Sequence, residues 1–137
     1  MREIDPYLEK YGLVPNIADL PAVRELLAKE AEAERVGEER MDDLALLCCV
    51  QLFSRGLLED VLRIWEAKQS GFDLFCYLDG EFLLGAGITE TIAYLQDVGS
   101  EEAELALDYI TEGYDAGNLE DFSPAAHLKR YKSYFGV

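Results

Sequence analysis

Between Met41 and Phe53 a helix would be apolar on every side. Met41, Leu44, Ala45, Cys48, Cys49 and Leu52 fall on one face at helical spacing, and Leu46, Leu47, Val50 and Phe53 fill most of the other. A helix without a polar face has to be enclosed by other elements, so the chain must fold around it. The segment from about Glu38 to Ser54 is the expected central helix, with Gly56 as its stop.

The flanking segments supply the enclosure. Pro21, suited to a first helical turn, and Asp19 near the cap open a helix from about Leu20 to Val36. Its thin apolar stripe of Val23, Leu26, Leu27 and Ala31 marks a solvated outer element, and Gly37 ends it. From Leu57, Leu58, Val61, Leu62 and Trp65 recur at i, i+3, i+4, i+7 spacing, with Glu59 and Asp60 first and Lys68 last, a charge order that suits the helix dipole. A helix from Thr89 to Val98 is closed by Gly99. The next has Ser100 as N-cap and Glu101 and Glu102 in its first turn. Ala103, Ala106, Leu107, Ile110 and Tyr114 form its expected core face. A short turn near Pro6 to Tyr11 and a last helix from Ala125 to Phe135 complete the set.

The segment FDLFCYLDGEFLLGAG, from Phe72 to Gly87, admits two readings. Asp79-Gly80 between apolar residues is a tight-hairpin signal, whereas Phe72, Phe75, Cys76, Asp79 and Leu83 fit a helix. We prefer a helix to about Leu84, because every neighbouring segment is helical. The expected fold is all-α: six to seven short antiparallel helices packed as helical hairpins, with a β-hairpin at 72–84 as the minor alternative. At 137 residues the chain is expected to be a single helical domain. Residues 1–19 are partly irregular in this reading, and 123–137 form a basic aromatic tail.

Charge narrows function more than any motif does. The formal net charge is −16, and residues 69–128 hold thirteen acids with no Lys or Arg. Half the residues are nonetheless hydrophobic and 11% aromatic, a composition that folds. Such a surface repels nucleic acid and anionic membrane and attracts basic proteins. Glu101, Glu104, Asp108, Glu112 and Asp115 recur at three- or four-residue steps along one side of the Ser100–Ala116 helix. Like charges at this spacing are unfavourable, so a chain that keeps them unrelieved has a use for the field. These five residues are the expected partner-binding surface.

No catalytic residue, cofactor or metal is expected. Gly85-Ala86-Gly87 lacks the Lys-Ser/Thr of a phosphate loop and reads as a turn. DAGNLED at 115–121 has the composition of a calcium loop but not its order. His127, the one imidazole, reads as a surface histidine beside Lys129 without a nucleophile. Cys48, Cys49 and Cys76 make neither a C-x-x-C pair nor an even disulfide set, and read as buried, reduced thiols. The N-terminus carries no signal-peptide pattern, and no apolar run reaches membrane-spanning length, so the expected location is cytoplasmic.

A secondary candidate site lies in IWEAKQSGFD: Trp65, Lys68 and Asp73, with Asp73 also read as a helix cap after the Gly71 break. This block, followed by LLGAG at 83–87 and a Thr-containing helix ending Tyr94-Leu95, resembles a family of small bacterial proteins over residues 57–124. The resemblance implies a bacterial cytoplasmic origin and no particular activity. The leading expectation is therefore a non-enzymatic binding protein that docks a basic partner, as an immunity protein, antitoxin or dedicated chaperone does. The alternative is an accessory helical module that self-associates as a homodimer through Tyr131, Tyr134 and Phe135.

Overall fold

Every residue from Leu44 to Phe53 is buried, Gln51 included. The computed structural model describes residues 2–137 and places this segment at the centre. It is all-helical, with no strand among the described residues. The α-helices are α1 (Asp5–Tyr11), α2 (Leu20–Val36), α3 (Leu44–Arg55), α4 (Val61–Lys68), α5 (Phe72–Tyr77), α6 (Ile88–Val98), α7 (Glu101–Asp115) and α8 (Pro124–Phe135). Short 3₁₀ turns at Ile17–Asp19, Leu58–Asp60 and Gly80–Leu84 connect them. Among neighbours in sequence, α2 packs against α3 and α6 against α7. The count exceeds six to seven because Asp5–Tyr11 forms a helix in place of the expected short turn, while the segment after Gly71 gives one α-helix and a 3₁₀ turn.

α3 is held by polar bonds as well as by packing. Gln51 Nε2 donates to the Gly12 carbonyl at 2.8 Å, and Arg55 Nε donates to the Pro15 carbonyl at 2.6 Å. These bonds satisfy two carbonyls of the irregular N-terminal segment and fix it over the central helix. α3 begins at Leu44, not at Glu38, because the connector is drawn back onto α2. The Met41 amide donates to Glu30 at 3.2 Å, and Arg40 pairs with Glu34 at 3.1 Å. At its other end α3 touches the Gly85 turn backbone to backbone. A Cβ on Gly56 would stand 2.7 Å from the Gly85 carbonyl oxygen, and one on Gly85 would stand 2.8 Å from that of Phe53. Those glycines are packing residues.

α2 reaches α4 through an ion pair between half-buried Arg24 and buried Asp60. Arg24 donates to both carboxylate oxygens of Asp60, at 2.7 and 3.1 Å, and Arg63 adds a third bond at 3.2 Å. Asp60 lies at the N-terminal boundary of α4, where a carboxylate also suits the dipole.

Neither reading of 72–84 is met in full. α5 stops at Tyr77, Leu78 and Asp79 are extended, and the chain resumes as the 3₁₀ turn. Lys68 causes the break. It is 3% exposed, and its Nζ donates to the carbonyls of Phe75 and Leu78, each at 2.5 Å, which caps α5 where a longer helix would use those carbonyls itself.

The 123–137 segment is not a free tail. Ser123 Oγ accepts from the Ala126 amide at 3.1 Å and starts α8, which packs on α3 and buries His127, Tyr131 and Phe135. The buried apolar residues, from Ile4 to Phe135, form one cluster.

Candidate functional site

α7 leans on α4 and α6 through Ala103, Ala106 and Ile110, which Ser100 orients by accepting from the Ala103 amide. Its outer side carries Glu101, Glu104, Asp108, Glu112 and Asp115, all exposed. The structure thus brings the five expected residues onto one open face. Tyr114 departs from the expected core face: it is exposed, and so is Leu105 at 48%. Leu105 falls in the same row as Glu101, Asp108, Glu112 and Asp115, separated by helical steps of three or four. An apolar side chain therefore sits inside the acidic stripe, a position that periodicity read for the core passes over.

Among the described residues, every Lys or Arg that makes an ion pair makes it with an acid in the first 68 positions. None reaches an acid of residues 69–128, and the three cations of α8 do not neutralise the stripe. Beside the stripe, Glu102 accepts from Trp65 Nε1 at 3.2 Å. A cavity of about 250 Å³ adjoins the same helix, lined by Tyr109, Glu112, Gly113 and Asn118 from its side and by Gly80, Glu81 and Leu84 from the 3₁₀ turn.

Trp65 and Lys68 meet at the Tyr109 ring, the Lys68 Nζ 5.4 Å from its centroid, whereas Asp73 makes no contact with either among the described residues. Trp65 is a core residue, its ring 5.5 Å from that of Tyr109. Lys68 is committed to the α5 carbonyls, with its Nζ 4.6 Å above the Phe75 ring. Burial lowers its pKa, against the pull of Asp79 and the other nearby acidic groups. Asp73 is exposed and makes no side-chain cap. Glu34 of α2 caps α5 instead, accepting from the Leu74 amide at 2.9 Å. A Cβ on Gly71 would lie 2.5 Å from the Glu34 side chain, so the Gly71 break makes room for that carboxylate. The IWEAKQSGFD block is therefore structural in each of its polar members that the structure pairs.

His127 is not a surface residue. It is 7% exposed and ringed by Phe53, Phe82, Phe122 and Tyr131, with ring centroids 5.2 to 5.9 Å away. The neighbouring cations of α8 suggested exposure, whereas its i, i+4 relation to Tyr131 pointed inward. Burial lowers its pKa, and the nearby Glu81 and Asp79 carboxylates only partly offset this, so the ring is neutral at pH 7. Its Nε2 is buried without a hydrogen-bond partner, 3.7 Å from Asp79 Oδ2. Asp79, Glu81 and His127 bring one donor atom each within 4.8 Å of one another.

Cys48 and Cys49 are buried, as expected, and desolvation pushes the Cys48 thiol up to about 12. Cys76 is exposed, contrary to expectation, because α5 presents only Leu74 to the core. Among the described residues no helix is long and apolar enough to cross a membrane. No family model matches the chain, and neither a curated protein nor a solved structure shows significant similarity to it.

Proposed function

We propose that the protein is a non-catalytic binding module whose α7 face docks a basic protein surface. The observation that carries this reading is the open row of Glu101, Glu104, Asp108, Glu112 and Asp115, uncompensated by any Lys or Arg and interrupted by exposed Leu105. Ordinary solvated helices mix both signs and gain from Glu–Lys pairs one turn apart. Here like charges repeat, and the stripe has a half-exposed leucine at its middle. Interfaces combine an apolar anchor with a charged surround in this way: the charges steer encounter, and the anchor holds the complex. A cationic partner such as a nuclease or another phosphate-binding protein presents the complementary field. The same acidity disfavours nucleic acid as a ligand, since phosphate contacts dominate that affinity. Three free thiols suit a reducing compartment, which we take to be the bacterial cytoplasm.

The test is a capture experiment from the native host with the parent and with a Glu104→Gln/Asp108→Asn/Glu112→Gln variant. A basic protein retained by the parent and lost or weakened with the variant supports the reading. Equal capture by both proteins contradicts it.

Self-association is the second reading, and one observation keeps it in view. Tyr131 and Phe135 are buried, so they form no contact surface, but Phe72 is 81% exposed on α5 beside exposed Phe75 and Tyr77. A homodimer through that face would persist at high salt and would be dissociated by Phe72→Ser.

A further inference from the structure

The geometry points to a divalent-cation site formed by Asp79, Glu81 and His127, with a metal of the zinc class as its ligand. The strongest sign is the imidazole. Its Nε2 is enclosed and has no hydrogen-bond partner, although the ring is more than nine-tenths buried. Leaving a buried polar atom unpaired is unfavourable, and such atoms in folded proteins call for an explanation. A metal ion supplies one: the lone pair of a neutral imidazole is the ligand form, and burial among four aromatic rings keeps the ring neutral.

The spacing agrees. Two ligands on a tetrahedral Zn²⁺ with bonds of about 2.0–2.1 Å stand roughly 3.4 Å apart. His127 Nε2 and Asp79 Oδ2 are 3.7 Å apart, already near that bite. Glu81, half-buried on the 3₁₀ turn, lies within the 4.8 Å spread of the three donors. Tyr131 donates its hydroxyl to Asp79 Oδ2 at 2.5 Å, which is how outer partners orient a ligating carboxylate.

Access comes from a cleft of about 300 Å³ bordered by Glu81, His127, Asp121, Ser123 and Arg130. Arg130 opposes a cation there, and Asp79, Glu81 and Asp121 outweigh it. One imidazole with two carboxylates and no sulfur suits Zn²⁺ or Co²⁺ better than Ca²⁺ or Mg²⁺, which take oxygen, or Cu(I), which takes sulfur.

The chain has one histidine, so the imidazole nitrogen signals in ¹⁵N NMR belong to His127 alone. ZnCl₂ titrated into chelator-treated protein should shift the Nε2 signal and saturate near one equivalent. Glu81→Gln and Asp79→Asn should each weaken that binding at least tenfold. The α7 triple variant, which removes charge elsewhere, should leave it unchanged. Zn²⁺ that leaves the imidazole signals unmoved overturns the site, as does parent-like affinity in Glu81→Gln or in Asp79→Asn. Scattered binding to surface carboxylates would show that first result. Neither outcome depends on the α7 reading.

Discussion

Replacing His127 with Phe should stabilise the metal-free protein, and increasingly so as the pH falls. Phe keeps an aromatic ring among Phe53, Phe82, Phe122 and Tyr131 and deletes the unpaired Nε2. An unsatisfied buried polar group costs about 1–3 kcal/mol. The larger Phe ring returns part of that gain through tighter packing, since overpacking costs about 1 kcal/mol or more. The net expectation at pH 7.5 is a gain of about 1 kcal/mol. The pH dependence follows from the sign of the His127 shift. Burial lowers its folded pKa below the unfolded value of 6.5. Between those two values the unfolded chain binds more protons, so the parent is fully stabilised above the unfolded pKa and loses stability as the pH falls towards the folded one. The variant lacks that loss. Its advantage should widen below pH 6.5, by at most about 1.4 kcal/mol per pH unit. Urea denaturation of both proteins in EDTA at pH 7.5, 6.5 and 5.5 measures the difference, in which titrations common to both cancel. An advantage that stays constant or shrinks on acidification would refute the buried, neutral imidazole. The slope is diagnostic even if the Phe ring packs poorly, because strain does not titrate.

Other outcomes follow from the same geometry. Arg24→Met strips Asp60 of two of its three side-chain donors and should cost about 2–3 kcal/mol in urea denaturation, below the usual figure for a broken buried pair because Arg63 remains; a loss under about 0.5 kcal/mol would contradict the clamp. Gly85→Ala drives a Cβ to 2.8 Å from the Phe53 carbonyl oxygen and should lower stability by about 1–3 kcal/mol, whereas an unchanged urea midpoint would mean the contact is slack. A thiol reagent should modify Cys76 rapidly and Cys48 and Cys49 only on unfolding, so the native protein should show one fast thiol of three.

Much of this fold was legible because its helices are punctuated locally. Gly37, Gly56 and Gly99 stop helices where expected, Ser100 caps α7, and the all-round apolar α3 is the enclosed element. The errors arose where a distant side chain decides a local question. Periodicity from Phe72 onward continues past Tyr77, but Lys68 of the preceding helix takes the carbonyls that would extend α5. Asp73 occupies a first-turn position, but Glu34, forty residues before the Leu74 amide it accepts from, takes the cap. The acidic stripe was legible because exposure on a helix follows from spacing. The His127 cluster was not, because Asp79, Glu81 and His127 lie on separate elements and the cations of α8 suggested a solvated segment. Tyr131 and Phe135 show the same limit, since their burial depends on α3 lying across them.

On the function proposed above, the α7 stripe steers a basic partner and Leu105 anchors it. Stopped-flow or surface-based kinetics with the captured partner, at low and at physiological salt, test this most directly. The charge-neutralised Glu104→Gln/Asp108→Asn/Glu112→Gln variant should associate about tenfold or more slowly at low salt and lose much of the parent's salt dependence, with dissociation little changed. Leu105→Ser should do the reverse, accelerating dissociation while sparing association. Association rates that match the parent's in both buffers would contradict the account and leave the stripe a solvated face.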